Sequence, residues 1–152
     1  DKQLLQTSLF LGIEMDPMKD NPQQGDFLIR NLMGIDKESG GLAIGALLRN
    51  GQLVQFHLRD KKMSAEDLDV MLTRYLNLGN AENAKGALLF SCLGRGQYLY
   101  GKANHDTDMF KNKLGAIPLG GFFCNGEIGP VGSTTFLHGY TSSFGIFRSS
   151  GR

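Results

Sequence analysis

Two cysteines, Cys92 and Cys124, in a 152-residue chain with no signal-like start are too few for a disulfide framework. They read as reduced thiols of a cytoplasmic protein. An excess of one charge is also missing: 16 basic and 15 acidic residues leave a formal net charge of +1. Such a surface has no field to gather nucleic acid or an anionic membrane. Long apolar runs are absent as well. Leu42 to Leu48 and Ala87 to Phe90 fall far below the roughly 20 residues a membrane helix needs. Apolar residues are not scarce, however, at 41% hydrophobic against 20% charged, which excludes a disordered chain. This length holds a core without metal or disulfide staples, most simply as one domain. The opening at Asp1, without an initiator methionine, suggests a domain of a longer polypeptide.

Glycine, by contrast, is abundant, with 21 residues. The stretch Leu114 to Gly129 (LGAIPLGGFFCNGEIG) is the most informative in the chain, because an apolar run ends in a glycine-framed acidic loop around Glu127. Gly120, Gly121, Gly126, Gly129 and Gly132 permit close approaches there that a Cβ resists, so the neighbourhood of Glu127 can wrap tightly.

Periodicity supplies the elements. Leu9 to Met15 reads as a first strand, followed by a proline-containing loop, and Phe27 to Ile35 as a second that turns at Glu38–Gly41 into Leu42 to Leu48. Asn50-Gly51 then suits a type I′ hairpin into Leu53 to Leu58. Ser64, with Asp67 in the capping-box position, opens a helix from about Ala65 to Leu78 on the spacing of Leu68, Met71, Leu72 and Tyr75. Gly86 to Cys92 is a buried strand, and the alternation around Tyr98 and Tyr100 suggests another. Asp106 or Thr107 can cap a second helix through Met109, Phe110 and Leu114. Ile117 to Cys124 and Thr134 to Phe147 complete about seven strands and two helices. The fold class expected is α+β, a mainly antiparallel sheet flanked by about two helices, with room for αββα layering.

Several chemistries can be weighed on these elements. Gly96 to Ala103 nearly spells a phosphate-binding loop, but Ala103 lacks the hydroxyl that holds Mg²⁺ and bulky residues fill the cradle. Cys92 at a strand end, with His138 as base, is the one arrangement suggesting thiol catalysis. Phe90 crowds the position where a nucleophile elbow wants glycine, and a structural thiol is the competing reading. His57, His105 and His138 lie at no metal-ligand spacing, so neither a metal nor a cofactor is expected. Arg95 between Gly94 and Gly96 has the space to present its fork to a carboxylate. It either pins a loop by pairing with an acid such as Glu127 or contacts ligand. If Arg95 and Glu127 face one cleft, they suit the carboxylate and ammonium of an amino-acid-like ligand, with Asn125 adding an amide contact.

These residues carry a family resemblance. Phe90 to Gly96 (FSCLGRG), Asn104, Ile117 to Gly129 (IPLGGFFCNGEIG) and Phe136 to Thr141 (FLHGYT) together resemble the C-terminal domain of the FIST module, F-box and intracellular signal transduction. The resemblance implies an intracellular sensory domain without catalytic residues, binding a small molecule such as an amino acid. Its partner would be an N-terminal FIST half or another signalling domain. In eukaryotes a similar module accompanies an F-box and recruits proteins, so a protein-interaction domain is the alternative. The shared positions carried over as ligand-binding candidates are Cys92, Arg95, Asn104, Asn125, Glu127, His138 and Tyr140. A shared motif can equally hold the fold through glycines and a buried ion pair.

Overall fold

A computed structural model describes residues 8–79 and 81–150. The chain forms two compact units, one of the residues up to Arg59 with Ile128–Gly139 and one of Asp60–Glu127 with the residues from Tyr140 on. Taken together the fold is α+β and its strand pairings are mostly antiparallel, as the hydrophobic pattern led us to expect.

The first unit is built on β1 (Leu9–Glu14), β2 (Phe27–Ile35), β3 (Leu42–Ile44) and β4 (Val54–Leu58), in the spatial order β3-β2-β1-β4. A two-stranded ribbon, β7 (Glu127–Val131) with β8 (Thr134–His138), adds Val131 and Phe136 to a core around Ile13 and Leu28. The β2–β3 hairpin closes as its sequence indicates, with the Asp36 amide donating to Gly41 at 2.8 Å and Gly40 in left-handed backbone at φ 72°. The Asn50-Gly51 hairpin does not form. Its turn is present, with the Gln52 amide donating to the Arg49 carbonyl at 3.1 Å, but the strands it joins are not neighbours. β4 pairs instead with β1, Ile13 opposite Val54 and Leu9 opposite Leu58, while β3 ends at Ile44 on the far edge. Pairing with β1 gives β4 a five-residue backbone ladder from Leu9 to Ile13, a long-range partner that local turn chemistry does not register.

The second unit has β5 (Ala84–Cys92) at its centre, parallel to β6 (Leu119–Cys124) on one side and antiparallel to β9 (Ser142–Arg148) on the other. Three helices accompany it: α1 (Lys61–Asn77), α2 (Gln97–Tyr100) and α3 (His105–Leu114). Leu68 and Leu72 of α1, Ala87 of β5 and Phe110 of α3 form the core, and Phe110 stacks on Phe144 of β9 at 5.3 Å. Lys113 ties α3 to α1 through Asp69 and Thr73, at 2.9 and 3.0 Å.

Three local features differ from the sequence pattern. α1 starts a turn before Ser64, because the Asp60 carboxylate accepts from the Lys62 and Met63 amides at 2.7 and 2.9 Å and so supplies the cap. The stretch around Tyr98 is a single helical turn, not a strand, bracketed by Gly96 and Gly101 at φ 64° and 72°. α3 is preceded by Asn104 in left-handed backbone, and Asp106 points inward where a cap was expected. With β7 and α2 added and the run from Thr134 to Phe147 divided into β8 and β9, the described residues hold nine strands and three helices.

Candidate functional site

Because β5 and β6 run parallel, the connection between them must cross over, and it does so through α2 and α3. The carboxyl ends of the two strands, where open sheets gather their ligands, therefore meet the loops that carry most of the candidate residues. Every buried charged side chain of the described residues, Arg95, Asp106 and Glu127, belongs to this unit.

Arg95 pairs with Asp106, not with Glu127. Its Nε donates to Asp106 Oδ2 at 2.8 Å and its Nη2 to Oδ1 at 3.2 Å and to the Tyr100 hydroxyl at 2.6 Å. Ser142 Oγ donates to Asp106 Oδ2 at 2.8 Å, and His105 Nδ1 lies 2.9 Å from Oδ1. The His105 ring in turn stacks on Tyr100 at 3.5 Å, with the planes 8° apart. Burial alone would push the Asp106 carboxyl up; the hydrogen bonds and charge of Arg95, with His105 and Ser142, outweigh it and bring the pKa down to about 2. The same partner raises Arg95 against the opposing effect of its own burial.

Glu127 has a separate set of partners. Thr141 donates to Oε2 through Oγ1 at 2.8 Å and through its amide at 3.3 Å, and the Cys124 thiol donates to Oε1 at 3.2 Å. Burial first, then this bond to Glu127, raises the Cys124 pKa. Cys92 is buried opposite Cys124 in the parallel ladder, its sulfur accepting from the Gly94 amide at 3.5 Å.

The remaining candidates divide. Asn125 is exposed in the turn after β6, and Tyr140 is half-buried directly before Thr141. Asn104 and Tyr140 are the only non-glycine residues of the described chain at positive φ, 60° and 64°. His138 belongs to the first unit, with Nε2 2.8 Å from the Gly129 carbonyl. Pattern reading missed Asp106, Ser142 and Thr141. Asp106 was legible in one respect, since it lies one helical turn before Phe110 and shares its inward face.

Two shallow depressions mark this unit, and neither holds the charged pair. One, of about 430 Å³, runs along α1 between Asp69 and Leu78. The other, of about 400 Å³, lies beside α3 and reaches Asn104 but neither Arg95 nor Glu127. Beyond the helix-covered face of the sheet, register places Leu88, Phe90, Phe122 and Phe147 together on the opposite face. Leu88, Phe122 and Phe147 are 39%, 63% and 59% exposed there. Among the described residues no helix is long and apolar enough to cross a membrane.

A family model described as the FIST C domain matches residues 1–130, which include the N-terminal half where motif similarity is weakest. An uncharacterized protein of Mycobacterium tuberculosis is 41% identical over 150 residues, 97% of this chain and 38% of the relative. An F-box/LRR-repeat protein of Arabidopsis thaliana is 30% identical over 118 residues, covering 68% of this chain and 22% of the relative. The human F-box only protein 22 is 50% identical over 42 residues, 27% of this chain and 10% of the relative. The chain thus spans less than half the length of the mycobacterial relatives it matches.

Proposed function

The chain belongs to the FIST C domain family, a family of signal-transduction domains, and we propose from that premise that its second unit acts by recognising protein. The partner is a folded domain with an apolar surface of its own, belonging to the longer polypeptides in which such chains occur. The observation carrying this reading is a division of labour in the second unit. Arg95 and Glu127 are satisfied internally by Asp106, Cys124 and Thr141, while Leu88, Phe122 and Phe147 share an open sheet face. A clamp for an amino acid would need both charges available, and stripping them of buried partners costs several kcal/mol. An exposed apolar cluster has no such cost and is a usual mark of an interaction surface. The F-box names of the Arabidopsis and human relatives are in keeping with a protein partner. Catalysis forms no part of this reading.

A second reading is a small polar ligand, amino acids included, resting on the loop end against Asn104, Asn125 and Tyr140. It is favoured by the left-handed backbone of Asn104 and Tyr140, since non-glycine residues held there concentrate at binding sites. A thermal-stability scan separates the two readings. The chain is mixed either with a panel of amino acids and related metabolites or with the part of the M. tuberculosis relative outside the matched region. Recognition of protein predicts stabilisation by the polypeptide alone. Stabilisation by a metabolite, lost in Asn125→Ala, would establish the second reading in its place.

A further inference from the structure

The two free cysteines close adjacent parallel strands and are register partners, Cys92 opposite Cys124. Partners across a ladder project to the same face, and the pair two positions earlier shows how near they come: the Phe90 and Phe122 ring centroids are 5.2 Å apart. A strand spacing of about 4.8 Å puts the two Cα atoms within the roughly 4.4–6.8 Å that a disulfide spans. It leaves the Cβ atoms a few tenths of an ångström beyond the usual separation of about 3.5–4.5 Å. Both strands end at these cysteines and run into turns containing Gly94 and Gly126, so closing that gap moves strand ends and not the middle of the sheet. The buried Glu127 carboxylate already accepts the Cys124 thiol proton at 3.2 Å. Nothing in the recognition reading uses either thiol.

We propose that Cys92 and Cys124 are an oxidisable thiol pair, converted by hydroperoxides into an intramolecular disulfide that removes the Cys124–Glu127 hydrogen bond. Cys124, the more exposed of the two, reacts first. Its sulfur attacks the terminal peroxide oxygen and the O–O bond breaks. The thiol proton passes by way of Glu127 to the departing alkoxide, which leaves as alcohol, and Cys124 becomes a sulfenic acid. The Cys92 sulfur then attacks the Cys124 sulfur, the S–O bond breaks, and hydroxide leaves with the Cys92 proton as water. Two thiols lose two protons and two electrons, and the hydroperoxide is reduced to alcohol and water. The elevated pKa of Cys124 makes the first step faster as pH rises.

The test exposes the folded chain to tert-butyl hydroperoxide at pH near 7 and near 8.5 and reads intact mass without reduction. The expected product is a monomer lighter by about 2 Da, with a peptide bridging Cys92 and Cys124, reversed by dithiothreitol and formed faster at the higher pH. In Cys92→Ser, oxidation should stop at a sulfenic acid on Cys124 that dimedone traps. Phenylarsine oxide, which bridges paired thiols without an oxidant, should consume both at one equivalent per chain. The proposal is overturned if both thiols still titrate after native-state oxidation, if only intermolecular dimers form, or if the arsenical leaves both thiols free.

Discussion

Replacing Asp106 with Asn keeps the shape of the side chain and removes the charge that the buried Arg95 faces at 2.8 Å. Breaking a buried pair from one side leaves an uncompensated charge, and the expected cost is about 3–5 kcal/mol. Acid offers a gentler form of the same perturbation. The Asp106 pKa falls from 3.8 to about 2 on folding, which at 1.36 kcal/mol per tenfold change in proton affinity corresponds to roughly 2–2.5 kcal/mol. The folded value is the lower one, so this stability is fully present above about pH 4 and is lost as pH falls toward 2. Protonation costs less than the substitution because the acid keeps oxygens at both positions, whereas Asn puts an amide nitrogen, a donor, against the Arg95 or Ser142 donors. Urea unfolding at neutral pH, repeated in steps down to about pH 2, measures both. Wild type should lose stability over the acid range, and Asp106→Asn should start lower and show a flatter acid limb. The double variant Arg95→Met with Asp106→Leu should cost less than either single change, because no charge is left stranded. A loss under about 1 kcal/mol for Asp106→Asn, with an unchanged acid limb, would refute the argument that this pair holds the loop end together.

Other consequences are open to measurement. Phe110→Ala, at a residue 1% exposed and stacked on Phe144, should cost about 3–5 kcal/mol in chemical denaturation. Asp60→Ala removes the acceptor for two amides and should cost about 1 kcal/mol, with a matching loss of α1 protection in hydrogen exchange. Gly121→Ala would drive its Cβ into the Leu89 carbonyl across the β5–β6 ladder, so stability should drop by more than about 2 kcal/mol; a neutral result would show that the ladder is wrongly registered. Glu127→Gln removes a carboxylate that raises the Cys124 pKa, so iodoacetamide should label Cys124 faster in the variant at mildly alkaline pH.

Where the sequence was informative, the signal was local. Leu68 and Leu72 repeat at helical spacing and both are buried, so α1 could be read from its own pattern even though its cap could not. The β2–β3 turn is likewise made by its own residues, Asp36 through Gly41. Asn50-Gly51 shows the limit: the dipeptide makes its turn, but whether the flanking strands then pair depends on a competitor, β1, about 40 residues away. Tyr98 and Tyr100 alternate as a strand would, and only the left-handed glycines at either end reveal a helical turn. At the site, an arginine between glycines suggested either an acid such as Glu127 or a ligand, and its actual partner, Asp106, lies only 11 residues on. Asp106 resembled a cap because acidic residues at helix starts usually are caps. Its inward direction follows from Phe110 one turn on, whose apolar side chain marks the buried face of α3.

The measurement that bears most directly on the recognition reading is an affinity titration of this chain against the part of the M. tuberculosis relative outside the matched region. It is run with wild type and with Phe122→Ser and Phe147→Ser. Burying one phenylalanine contributes about 1.5–3 kcal/mol, so each substitution should weaken binding by roughly tenfold or more while leaving the fold intact, since both rings are largely exposed. Saturable binding that both variants weaken is the predicted result. Binding that neither substitution changes, or no binding alongside stabilisation by a free metabolite, would contradict the account.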